Sequence, residues 1–134
     1  RRPMAKAIHM MVRVLNEERS VAFYSGAFGL EIADRYDFAD FTLVYLRNAE
    51  ADFELELTVN KGRKDPYELG NGYGHFAVAV EDLEATRARI AELGYFPKDI
   101  KQMVFEDKPF GRFFFIEDPD GYKIEVLEKG GRFR

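Results

Sequence analysis

The chain holds only two histidines, His9 and His75, and each stands near the start of a run of alternating apolar residues. Two glutamates, Glu56 in Leu55-Glu56-Leu57-Thr58-Val59 and Glu125 in Lys123-Ile124-Glu125-Val126-Leu127, lie in the middle of similar runs. A carboxylate in an apolar strand is costly unless a cation, a proton or a polar cavity compensates it. Imidazole nitrogens and carboxylate oxygens together form a donor set of mixed hardness. Such a set suits nickel, cobalt, zinc, manganese or iron, with coordination positions left for water or substrate.

The surrounding elements decide whether these four residues can act together. Residues 7–15 alternate as a strand, with Ile8, Met10, Val12 and Val14 on one face and His9, Met11 and Arg13 on the other. Asn16 caps a helix over 17–28 whose apolar stripe is Val21, Tyr24 and Phe28, and Gly29 closes it. Strands are predicted over 30–36, 41–46 and 51–59; in the last, Phe53, Leu55, Leu57 and Val59 form a core face and Asp52, Glu54, Glu56 and Thr58 a polar one, continuing to Asn60. Residues 61–72, with Gly62, Pro66, Gly70 and Gly72 among charges, break the pattern as a connector.

The order then begins again. Residues 73–80 read as a strand containing His75, Asp82 caps a helix with Leu83, Thr86, Ile90 and Leu93 on its apolar stripe, and Gly94 ends it. A strand near 100–105 leads into a closing hairpin, whose arms, 111–116 and 122–128, meet at the turn Asp118-Pro119-Asp120-Gly121. Aligning the halves sets Val14 against Val80, Asn16 against Asp82, Gly29 against Gly94 and His9 against His75, with Glu56 and Glu125 each in a last strand. The expected fold is therefore α+β: one domain over 1–134 built of two tandem βαβββ modules, 7–60 and 73–128, joined by 61–72. If the first and last strands of each module are neighbours, each supplies one imidazole and one carboxylate. A pseudo-twofold between modules would then gather all four around one cation in a cup formed by the mixed sheets.

Composition excludes several function classes. At 134 residues the chain is long enough to bury a sizeable core without staples. It has no cysteine, which removes disulfides, thiol nucleophiles and zinc fingers and fits a reducing cytoplasm. The net charge of -4 argues against nucleic acid or a membrane surface as the main partner. Arg1-Arg2-Pro3 precedes Met4 with no apolar stretch behind it, which argues against a secretory signal and makes Met4 a candidate start.

Four segments, His9, Leu55-Glu56-Leu57-Thr58-Val59-Asn60, Tyr73-Gly74-His75 and Glu117-Asp118-Pro119-Asp120-Gly121-Tyr122-Lys123-Ile124-Glu125, resemble the metal-site segments of bacterial glyoxalase I, in the vicinal oxygen chelate superfamily. Tyr67-Glu68-Leu69-Gly70 is similar to the bacterial enzymes as well. The resemblance implies that His9, Glu56, His75 and Glu125 ligate one divalent metal per site, nickel or cobalt by preference and zinc as an alternative. It implies a homodimer whose metal sites lie at the subunit interface. The implied reaction is isomerisation of the glutathione–methylglyoxal hemithioacetal to S-lactoylglutathione through a metal-stabilised enediolate, with glutathione as co-substrate, Glu125 as leading base and Glu56 as a second acid-base group. Arg13 and Asn60 match glutathione-contacting positions. Where the family carries a Gly-rich loop with a lysine, this chain has Asp107-Lys108-Pro109-Phe110-Gly111-Arg112, so Lys108 and Arg112 are the candidate replacements.

Other readings of the same residues are specific. An epimerase uses a related site, whereas extradiol dioxygenases and fosfomycin-modifying thiol transferases use two His and one Glu, which the additional Glu56 opposes. A metal-free, drug-sequestering binding protein would use the 13 Phe as aromatic walls, but such proteins usually lack the ligand set that is intact here. The thiol is equally open, since bacillithiol, mycothiol or trypanothione would require only small changes around Arg13 and residues 101–112.

Overall fold

Each half of the chain folds in the order β-α-β-β-β, as the repeat predicts. The computed structural model describes residues 2–134, and Arg1 of the Arg1-Arg2-Pro3 lead lies outside them. The elements are β1 (His9–Arg13), α1 (Glu17–Phe28), β2 (Glu31–Asp37), β3 (Phe41–Asn48), β4 (Ala51–Asn60), β5 (Phe76–Val80), α2 (Leu83–Glu92), β6 (Lys101–Phe105), β7 (Lys108–Glu117) and β8 (Lys123–Glu128). They form two four-stranded mixed sheets, ordered β1-β4-β3-β2 and β5-β8-β7-β6. In each sheet the first and last strands of the module are parallel neighbours and the other pairings are antiparallel. Two compact units result: residues 2–25 with 29–67, and residues 26–28 with 68–134.

In the first unit, Asn16 accepts a hydrogen bond from the Arg19 amide at 2.9 Å, as an N-cap should, and Gly29 ends α1 in the left-handed region at φ 65°. The buried stripe of α1 is Ser20, Phe23, Tyr24 and Ala27, displaced from the expected Val21, Tyr24 and Phe28. Its two small residues flank two large ones, giving the same helical period one step round the helix. Val12, Val44, Leu46, Leu55 and Leu57 of the strands, and Val14 just after β1, are buried in this unit. The predicted polar face of β4 is wet only at its start, where Asp52 is exposed. Glu56 is 8% and Thr58 9% exposed, because β4 is an interior strand between β1 and β3.

In the second unit, Asp82 caps α2 by accepting from the Ala85 amide at 3.0 Å, the counterpart of Asn16. Leu83 and Ile90 of α2 are buried, as are Phe114, Ile116, Ile124 and Val126 of β7 and β8, while Leu93, expected on the apolar stripe, is 50% exposed. The β7–β8 turn is organised by Asp118, whose Oδ1 accepts from the amides of Asp120 and Tyr122 at 2.9 Å each. Gly121 completes the reversal at φ 94°. The strand expected near 100–105 forms as β6, and the chain turns through Glu106 and Asp107, at φ 50° and 62°, into β7. Among the described residues no helix is long and apolar enough to cross a membrane.

Candidate metal centre

Strand register alone brings each histidine to its glutamate. In the parallel pair β1–β4, His9 stands opposite Glu54 and Met11 opposite Glu56, so His9 and Glu56 lie on one face, diagonal across the pair. In β5–β8, Ala77 stands opposite Glu125, so His75 bears the same relation to Glu125. His75 directly precedes β5 rather than lying within it, a shortening of the expected strand. Its approach is held by Tyr73, whose hydroxyl donates to the Lys123 carbonyl at 3.2 Å and whose ring meets Tyr122 edge-on. Burial raises the Tyr73 phenol above its ordinary pKa, keeping it a donor.

The two pairs have nearly the same geometry. His9 Nε2 is 3.0 Å from Glu56 Oε1, and His75 Nε2 is 3.2 Å from Glu125 Oε1. Each imidazole also meets an aromatic ring edge-on, Tyr45 beside His9 at 5.8 Å between centroids and Phe115 beside His75 at 5.3 Å. Those two aromatics are themselves equivalent, Tyr45 standing opposite Glu56 in β3–β4 and Phe115 opposite Glu125 in β7–β8. The hydroxyl that distinguishes them is used: Tyr45 donates to Glu56 Oε2 at 2.8 Å. That bond, and then burial, push the Tyr45 phenol from 10.0 up to about 12.

The donor set fits a divalent cation on geometric grounds. Two donors each about 2.1 Å from one ion and at right angles stand about 3 Å apart, the separation seen in both pairs. Among the described residues no three His, Cys, Asp or Glu side chains gather as a ligand group, so the donors are supplied as two pairs, one internal to each unit.

The remaining candidate residues fall in different settings. Arg13 shares the His9 face of β1 by alternation and is exposed. Asn60, at the end of β4 and on the Glu56 face, donates its amide to the Tyr67 hydroxyl at 2.9 Å, while the Arg63 guanidinium lies 4.3 Å from the Tyr67 ring centre. Lys108 is exposed at the start of β7. Arg112, with the buried Phe114 and Ile116, takes the β7 face opposite Phe115 and Glu125, because side chains alternate. Its guanidinium pairs there with Glu84 of α2 and, at 2.9 Å, with Glu128. The residues that sequence reasoning missed are Tyr45 and Tyr67. For Tyr45 the sequence carries no signal: the Glu56-to-Glu125 spacing sets it against Phe114, and only the strand registers make it equivalent to Phe115.

Comparison with known proteins identifies the family. The family model described as "Glyoxalase/Bleomycin resistance protein/Dioxygenase superfamily" matches residues 6–126, a span containing both His–Glu pairs. The chain belongs to that superfamily. Within the superfamily it falls among the glyoxalase I enzymes. It is 37% identical over 132 residues to the lactoylglutathione lyase of Neisseria meningitidis serogroup A, covering 92% of this chain and 91% of that protein. It is 34% identical over 133 residues to the "Probable lactoylglutathione lyase" of a Synechocystis species, covering 93% and 96%. The trypanothione-dependent glyoxalase I of Leishmania major superimposes with a TM-score of 0.75 at 31% identity, over 93% of this chain and 87% of that one.

Proposed function

We propose that this glyoxalase I enzyme is a divalent-metal-dependent lactoylglutathione lyase that isomerises the hemithioacetal of glutathione and methylglyoxal to S-lactoylglutathione. One observation carries the reading: the same His–Glu pair recurs in both units at matching distances on the same face of equivalent strands. His9, Glu56, His75 and Glu125 are the residues that would hold the cation, nickel or cobalt by preference and zinc as an alternative. When bound, such an ion supplies charge stabilisation to substrate oxygens that become negative as the carbon proton departs.

The chain's own groups carry the proton. Glu125 takes it from the thiol-bearing carbon and returns it to the neighbouring carbon, while the hydroxyl proton of the first carbon passes, by way of Glu56, to the former ketone oxygen, so the hemithioacetal carbon becomes a thioester carbonyl and the ketone an alcohol. Glu56, on the other side of the substrate, serves as ligand and second acid-base group. Arg13 pairs with a carboxylate of the tripeptide, the Asn60 amide binds its peptide groups, and Lys108 is the cation offered to the glycyl end. Arg112, occupied on the opposite face, is left out of this set.

Because each unit offers two donors, the reading includes a homodimer in which a metal site is completed by modules of different subunits. A cytoplasmic setting, where reduced glutathione is abundant, completes it. The test strips the protein with a chelator, restores single metals, and follows thioester formation from methylglyoxal with glutathione, and in parallel with trypanothione or bacillithiol. Thioester formed only with metal, and fastest with glutathione, is the expected result. No thioester with any metal and any thiol rejects the proposal.

A further inference from the structure

The two half-sites share their His–Glu contact and their aromatic neighbour, but only one of the two aromatics bears a hydroxyl, and that difference divides the labour between the carboxylates. Glu56 is engaged at both oxygens: Oε1 lies 3.0 Å from His9 Nε2, and Oε2 accepts the Tyr45 hydroxyl at 2.8 Å. Glu56 is also buried, 8% exposed. Glu125 has the equivalent histidine contact at 3.2 Å, but the ring opposite it in the register is Phe115, which has no hydroxyl to offer. A hydrogen bond to a carboxylate is among the stronger ones in a protein and fixes the orientation of the group that accepts it.

We infer that Tyr45 is a positioning residue that holds Glu56 as a fixed ligand, and that the plain ring of Phe115 leaves Glu125 free to swing during proton transfer. The inference rests on the metal-dependent reading above and assigns a role within it that the ligand set alone does not. Both carboxylates are ligands in that reading, but Glu125 must reach two substrate carbons in turn, whereas Glu56 can stay in place while it handles the oxygen proton. A pair of chemically identical glutamates needs something outside themselves to tell them apart. Ring packing against the imidazole is common to both halves, so the hydroxyl is the chemical group by which the two aromatic neighbours differ. Tyr45 is itself fixed, its ring also meeting Tyr36 edge-on at 6.2 Å.

Reciprocal substitutions test this in the metal-loaded full chain. Tyr45→Phe deletes the hydroxyl without changing the ring, and Phe115→Tyr introduces one opposite Glu125. Metal affinity is read by calorimetric titration of the stripped proteins with nickel and with cobalt. The cobalt absorption bands report ligand geometry, and kcat is measured at saturating metal. Tyr45→Phe is expected to weaken metal binding about tenfold or more and to shift the cobalt bands, with a smaller loss in kcat. Phe115→Tyr is expected to keep or tighten metal binding while lowering kcat about tenfold, because Glu125 must first leave a new hydrogen bond. Wild-type metal affinity and bands in Tyr45→Phe, or wild-type kcat in Phe115→Tyr, overturn the inference while leaving the lyase reading intact. A wild-type protein that binds no divalent metal and forms no thioester overturns both.

Discussion

At the scale of single residues, the chemistry separates into groups that react and groups that hold. Glu125→Gln keeps the size of the side chain and removes its basicity, so thioester formation should fall by about two orders of magnitude or more, measured at saturating metal with methylglyoxal and glutathione. Arg13→Ala and Asn60→Ala should raise KM for the hemithioacetal with less effect on kcat, since they would bind parts of the tripeptide that do not react; a loss confined to kcat would contradict their placement. The four proposed ligands were legible in the sequence because they are rare or out of place: two histidines in the whole chain, and two acids amid apolar runs. Tyr45 was not legible in that way. In a strand its aromatic ring reads as β-propensity, and only the position of its hydroxyl against Glu56 gives it a chemical role. The burial of Glu56 was hidden for a related reason: Glu54 and Thr58 suggest a wet strand face, and only the strand order reveals that β4 is interior.

At the scale of elements, turns and caps were the most readable features, since their residue types are dictated by local backbone demands. Asp118 illustrates this and supports a stability prediction. It is 4% exposed and its Oδ1 binds two backbone amides, so Asp118→Ala leaves both without that acceptor. A loss of about 1–3 kcal/mol is expected in urea unfolding, with His75 and Glu125 perturbed through the displaced start of β8. The stretch 101–112 was the least readable. Its strand near 100–105 is legible and forms β6, but Lys108 and Arg112, flanking a proline and a glycine, read as candidate thiol contacts, whereas the register continues them into β7 and turns Arg112 toward α2. The Arg112 guanidinium, chiefly by its hydrogen bond, holds the Glu84 carboxyl below its usual pKa range, and a bond to Glu84's own backbone adds to this. A lowered carboxyl contributes stability above the ordinary carboxylate pKa and loses it as pH falls through the folded value. Arg112→Met should therefore flatten part of the acid limb of the stability profile, read by melting temperature against pH, while leaving KM for the hemithioacetal unchanged. A KM rise with an unaltered acid limb would return Arg112 to the binding set.

At the scale of the whole molecule, duplication is the organising fact, and it was visible before any coordinates because capping residues recur with the histidines. Asn16 and Asp82 cap equivalent helices, and His9 and His75 precede them by the same path through a first strand. What duplication in sequence does not disclose is which copies cooperate, for a pattern repeated along one chain is compatible with a site completed inside a subunit or between two. The proposal of a dimer with shared sites makes this measurable by mixing. Glu56→Gln disables the first module and Glu125→Gln the second, so each variant alone should be nearly inactive. In a heterodimer of the two, shared sites segregate the lesions: one site receives both defects and the other receives neither. Random assortment makes half the dimers mixed, each with one sound site of two, so co-refolded variants should recover roughly a quarter of wild-type activity. Sites completed within one subunit would recover nothing, because every site would then carry one lesion whichever partner it met. Sedimentation of the mixture, with differently tagged variants, separates a failure to form mixed dimers from a failure of the mixed dimer to work.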